Sequence, residues 1–233
     1  LDGSVKKPHG EFDIKDLERS SRGYQSDWAL FDNTLYGLCQ ENPAHSDRGA
    51  VNAKLWLIGR GMATGIERHV KASGGMGSSL DKVAGFLHTN HHAVDSLVQR
   101  VRQLKEPLDL EKLAEVVSAH GRFCQLVSQL AQRDQVLVSF ASKYLHFHAP
   151  LVPIYDRYAY AAAWRRRRKQ GLEVFPKPEG ANLDYYWYCL CFWQVYTSLR
   201  ALAGAVTVRM AEYHLIDINS PPPRLRVQTE PES

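Results

Sequence analysis

Ser139-Phe-Ala-Ser-Lys-Tyr-Leu-His-Phe-His-Ala-Pro-Leu-Val-Pro-Ile-Tyr-Asp-Arg-Tyr158 decides how the rest of the chain is read. Its first half reads as the end of a helix. A Pro-punctuated turn follows, and Asp156 stands where a second helix begins. Ser142, Lys143 and His146 lie three, four and seven residues after Ser139, so all four share one helix face. A lysine near one helix end is thereby set across a compact apolar turn from an aspartate at the next helix start. An amine with a pKa lowered by burial, or by cations such as His146 and Arg157, is a nucleophile toward electrophilic carbon. A carboxylate at a helix N-terminus meets a favourable dipole and can stabilise developing positive charge. The plainer alternatives are capping for Asp156, a surface position for Lys143, and a helix junction for His146 and His148.

Upstream, Phe12, Ile14 and Leu17 mark a modest amphipathic helix over 11–21, and Trp28 to Leu38 an apolar-rich segment. Gln40 to Gly49 is a loop by its turn formers. Leu55 to Ile58 reads as a short buried strand, or as helix through Ile58, Met62, Ile66 and Val70 at four-residue intervals. On that helix Arg60 and Arg68 share a face, solvated or phosphate-contacting. Gly59, Gly61 and Gly65 match neither nucleotide fingerprint and read as packing glycines. Ser78 and Asp81 form a helix start after the loop Lys71 to Ser79. His88, His91 and His92 have only Asp95 as an additional ligand type, so a helix junction is preferred to a metal site. Val94 to Leu104 is amphipathic, and Asp109 caps a helix that Gly121 divides. Gln132 to Gln135 is a turn.

Downstream, the helix from Tyr158 ends in Arg165, Arg166, Arg167, Arg168 and Lys169, more cations than a helix C-terminus needs. They read as a solvated end or as a phosphate contact. Asp184 opens an aromatic helix running to about Ala203, apolar on almost every face and therefore central. Val206 to Ile218 is the last element, and 221–233 is a Pro-rich disordered tail. No strand alternation or repeat is present, so the class is all-α over 1–220, as one domain of one or two lobes.

Composition narrows the classes. With 233 residues, 44% hydrophobic and 23% charged, the chain is globular, and a net charge of +4 permits nucleic acid without requiring it. Four cysteines include no Cys-x-x-Cys pair, which gives no support to zinc or iron–sulfur and fits reduced thiols in a cytoplasm. No stretch approaches a membrane span, and the amino terminus lacks a signal-peptide core.

Ala141-Ser142-x-x-Leu145, followed by Ile154-x-Asp156-Arg157, resembles the active-site segment of the 8-oxoguanine branch of the helix-hairpin-helix DNA glycosylases. Ser-Lys-Tyr-Leu-His-Phe-His and Trp-Leu-Ile-Gly-Arg are similar to phrases in bacterial proteins described as having that fold. The resemblance implies a helical bundle with a DNA cleft, and excision of an oxidised or modified base, with or without lyase action. It implies duplex DNA with a flipped base as partner, no cofactor or metal, a monomer, and a nucleoid-associated cytoplasmic setting in repair or phage defence. Asp156 matches the family's aspartate. Lys143 would be the nucleophile, although the family's lysine falls one turn earlier, where this chain has Ser139. The phosphate-gripping Gly-x-Gly is also missing from Gln132 to Gln135. Phosphates would meet Arg60, Arg68 and Arg165 to Lys169, and a base pocket would draw on Ser139, His146, His148, Tyr185 and Trp187. Two alternatives stand beside this reading. One is an inactive DNA- or protein-binding module that keeps the fold, and the other a different all-α enzyme acting on a nucleoside-like molecule.

Overall fold

The structure is a computed structural model describing residues 15, 17, 18, 28–70, 78–131, 137–167 and 173–218. Its elements are α1 (Ala29–Glu41), α2 (Arg48–Trp56), α3 (Ile66–His69), α4 (Ser79–Thr89), α5 (His91–Arg102), α6 (Leu110–Ser128), α7 (Val138–His148), α8 (Arg157–Arg166), α9 (Leu183–Ala203) and α10 (Val208–Asp217). Among the described residues there is no strand, and every regular element is helical. The Gln132 to Gln135 turn, most of 11–21, Lys71 to Gly77, Arg168, Lys169 and 221–233 lie outside the described residues.

Short-range capping sets most of the starts. Asp47 accepts hydrogen bonds from Gly49 and Ala50, Asp109 from Lys112, and Thr207 from Met210. Ser78 and Asp81 close a reciprocal capping box ahead of α4. The aromatic helix α9 is capped by Asn182, two residues before the expected Asp184.

Two sequence expectations are corrected. Leu55 to Ile58 is not a strand: α2 widens at Leu57–Gly61 into a π-helical turn. The chain then turns through Ala63 and Gly65, both with positive φ, before α3, so Arg60 and Arg68 sit on separate elements. Gly121 does not divide a helix either, because α6 is continuous. A Cβ at Gly121 would lie 2.7 Å from both the Gly180 carbonyl oxygen and the Ala181 Cα, so this glycine lets the loop before α9 press against α6. The packing role expected of Gly61 holds, since a Cβ there would come within 2.5 Å of the Phe31 ring.

The sequence pointed to α9 as the central helix, and α9 is largely buried. In α7, however, every residue from Phe140 to His148 is buried. Helices α1, α5 and α6 and the π turn surround α7, while α8 packs on α9 and α10. Burying Phe140, Leu145 and Phe147 contributes roughly 1.5–3 kcal/mol each. Ser142, Lys143, His146 and His148 are buried on the same helix, so each needs a polar partner or a job.

Candidate functional site

Ser142 fixes how the Pro turn leaves α7. Its hydroxyl donates to the Ser139 carbonyl at 3.1 Å and accepts from the Tyr155 amide at 2.9 Å. The Tyr185 hydroxyl donates to the Pro153 carbonyl at 2.7 Å, tying the turn to α9. Asp156 then caps α8, accepting from the Tyr158 amide at 2.8 Å and the Ala159 amide at 3.4 Å. Lys143 is 6% exposed, and its Nζ donates to the Met62 carbonyl at 2.8 Å. Burial lowers its pKa, Asp156 and Glu212 oppose the shift, and Arg209 adds to it. The structure therefore brings Lys143 and Asp156 within electrostatic reach of each other.

Sequence reading missed the charged group behind them. Arg209 Nε donates to Asp32 Oδ2 at 2.7 Å, and its Nη1 donates to Glu212 Oε2 at 3.0 Å. Glu212 Oε1 accepts from the Ile154 amide, inside the Pro turn. Burial pushes the Glu212 carboxyl up to about 7 even though Arg209 pulls it down. Burial also works against the Arg209 charge, but Glu212, Tyr213 and Asp32 outweigh it and raise the guanidinium pKa. Tyr188 is a further residue missed. Its hydroxyl is fully buried without a hydrogen-bond partner among the described residues, and it feels the charges of Glu212, Asp156 and Arg209. A buried donor with no acceptor is uncommon in a folded chain.

The other expected site residues are placed differently. His146 accepts at Nε2 from the Tyr36 hydroxyl and donates from Nδ1 to the Val152 carbonyl at 2.7 Å. Burial holds it neutral, at about 3. Tyr185 is in the core, stacked on His120 at 3.6 Å. Ser139 is half-buried in the first turn of α7, and Trp187 is partly exposed on α9. Arg60 lies over Trp56 at 3.8 Å and pairs with Glu67 at 3.0 Å; Arg68 is exposed over Gly65. Arg165 is exposed at the end of α8, with Arg166 half-buried beside it. Arg167 stacks on Trp164 with its guanidinium carbon 3.4 Å from the ring centre.

His148 belongs to a second buried polar cluster. Its Nδ1 donates to the Tyr144 carbonyl at 2.9 Å, and its Nε2 accepts from Lys54 Nζ at 3.2 Å. Beside it, His45 donates to Asp95 Oδ1 at 2.6 Å and accepts from the Tyr144 hydroxyl at 2.8 Å. Asp95 is thus directed at His45, while the rings of His88, His91 and His92 pack on one another. His148 also lines a pocket of about 510 Å³ together with Arg102, Lys105, Phe147 and Leu151. Neither Lys143 nor Asp156 lines it. Among the described residues no helix is long and apolar enough to cross a membrane.

Compared with family models, curated proteins and solved structures, the chain matches none of them.

Proposed function

We propose that this chain is a DNA base-excision enzyme with a helix-hairpin-helix glycosylase-like fold, acting on an oxidised or otherwise modified base. The observation that carries the reading is a buried, pKa-lowered Lys143 within electrostatic reach of the helix-capping Asp156 beyond the Pro turn. In this scheme the neutral Nζ adds to C1′ of the sugar as the glycosidic bond breaks, and the base leaves with that electron pair and a proton. The new ammonium passes a proton to O4′ as the C1′–O4′ bond opens, and a protonated Schiff base with a free O4′ hydroxyl remains. Removal of a C2′ proton then expels the 3′ phosphate by β-elimination, which is the lyase step. Asp156 stabilises the sugar cation on the way. Substrate entry exchanges the Lys143 hydrogen bond to Met62 for contact with the sugar, and the Tyr188 hydroxyl offers a donor to the flipped base.

A second reading has its own support. The Met62 carbonyl already occupies Nζ, and the 510 Å³ pocket opens elsewhere. A catalytically silent DNA-binding or protein-binding module would look the same. Borohydride trapping on duplexes carrying 8-oxoguanine, uracil or an abasic site separates the two. The enzyme gives a covalent adduct that Lys143→Met abolishes, with base release also lost in Asp156→Asn. Absence of adduct and of base release on every duplex overturns the base-excision reading for those substrates and leaves the binding module.

A further inference from the structure

We propose that the outer face of α8 is a stacking track for an unpaired DNA strand leading into the Lys143–Asp156 site, an inference that rests on the base-excision reading above. Arg157, Tyr160, Trp164 and Arg167 follow one another at spacings of three, four and three residues, which places them along one stripe. The Tyr160 ring lies 5.7 Å from Tyr155 at the inner end and 6.0 Å from Trp164 at the outer end. Ala159, Ala162 and Ala163 supply the buried face of the helix, and Trp164 stays 42% exposed. Trp164 is therefore the exposed ring of the stripe, and Tyr160, half-buried beside it, packs against the core.

The charge on the stripe is available as well. Arg167 stacks on Trp164 and donates to its carbonyl at 2.7 Å, while Arg157 lies against Tyr158 and donates to its hydroxyl at 2.8 Å. Among the described residues neither is paired with a carboxylate. Cations interleaved with an exposed Trp164 and a half-buried Tyr160 fit a single strand, whose bases have free faces; in a duplex those faces are stacked inside. A rise of about 1.5 Å per residue makes the stripe about 15 Å long. At about 3.4 Å per stacked nucleotide, that is room for roughly four.

The inner end of the track supplies a second, independent observation. Tyr155 and Tyr160 pack edge-on against Tyr188 at 5.5 and 5.9 Å. Tyr188 carries the buried hydroxyl without a partner. The stripe thus runs from solvent to the Tyr188 ring, whose hydroxyl lacks an acceptor, and nucleobase carbonyls and ring nitrogens are acceptors.

Fluorescence anisotropy of a labelled oligothymidylate with the full chain, titrated with salt, tests the track. The same oligomer annealed to its complement is the comparison. Trp164→Ala, at an exposed position and with its fold checked by circular dichroism, is expected to weaken single-strand binding about 5- to 100-fold. It should change duplex binding far less. Arg157→Gln is expected to lower the salt slope by about 0.7, the share of one single-strand phosphate. Single-strand affinity that stays within twofold in Trp164→Ala overturns the track. The two readings fail separately: Trp164-dependent binding without any Lys143 adduct removes the enzyme and keeps the track. A Lys143 adduct together with single-strand affinity within twofold of wild type in Trp164→Ala keeps the enzyme and removes the track.

Discussion

Lys143→Met removes the amine while keeping most of the stem. Three changes follow from the structure. The Met62 carbonyl loses its donor, at a cost of about 1–3 kcal/mol if it stays unpaired. The work of burying a charged amine disappears, which stabilises the variant. The neighbouring carboxylates Asp156 and Glu212 lose a cation, yet Glu212 keeps its hydrogen bond from Arg209. These effects oppose one another, so the net change is expected to stay within about 1 kcal/mol. For a chain of this size that is a melting shift of about 2–4 °C. A lysine kept as half of a structural ion pair would instead cost about 3–5 kcal/mol on removal. The pH dependence has a definite sign. Burial lowers the Lys143 pKa, so the unfolded chain holds this proton to higher pH than the folded one. The wild type therefore gains stability as pH rises from the folded pKa toward about 10.4, and Lys143→Met lacks that gain. Urea unfolding of both proteins between pH 7 and about 10, read by tryptophan fluorescence, measures each quantity. A loss above about 3 kcal/mol with parallel pH profiles would refute the depressed-amine reasoning.

Three further outcomes are expected. Burial holds His45 and His120 at about 4 and His146 at about 3, so each stays neutral when the unfolded chain protonates below about 6.5. Stability should then fall by about 1.4 kcal/mol per histidine per pH unit on the way down to about 4. Glu212, raised to about 7, runs the other way, gaining stability as pH drops from about 7 to 4.5, but one carboxyl offsets only one histidine. A urea midpoint that is flat from pH 6.5 to 4 contradicts this. Asp156→Ala should cost about 0.5–2 kcal/mol of stability through the lost cap while Asp156→Asn costs little, yet both should abolish base release; equal stability losses would show that the carboxylate charge, not capping, holds α8. Gly121→Ala gains about 1 kcal/mol of helix propensity but drives a methyl into the Gly180–Ala181 backbone, an overpacking cost of about 1–3 kcal/mol. Its urea midpoint should fall, and a rise would show that the loop yields freely.

What could be read from the sequence was what the chain does locally. The Ser78–Asp81 capping box, the Asp109 cap and the Asp156 cap join residues two or three apart, and the residue types alone announce them. Serine, lysine and histidine on one face of α7 were likewise a matter of period. The partners of those side chains were not legible. Lys54 meets His148 across 94 positions, His45 meets Asp95 across 50, and Arg209 meets Asp32 across 177. Only the folded path brings such pairs together, and no spacing rule reaches that far. Gly121 failed for the same reason, since a glycine in a helix looks like a local break until the loop that needs its missing side chain is in place. The unpartnered Tyr188 was hidden in an aromatic run where every ring looked like core.

The clamp formed by Arg209 and Glu212 has a consequence for the order in which the molecule is made. Lys143 and Asp156 are synthesised close together, yet the amide of Ile154 between them is held by a side chain 58 residues later. Arg209 in turn grips a helix from the other end of the described chain. A growing polypeptide that has emerged only through α8 therefore carries both candidate groups with the turn between them held by Ser142 and His146, but not yet by Tyr185 or Glu212. Closure of the site therefore waits for α10, the last helix described, after the described elements before it have been made.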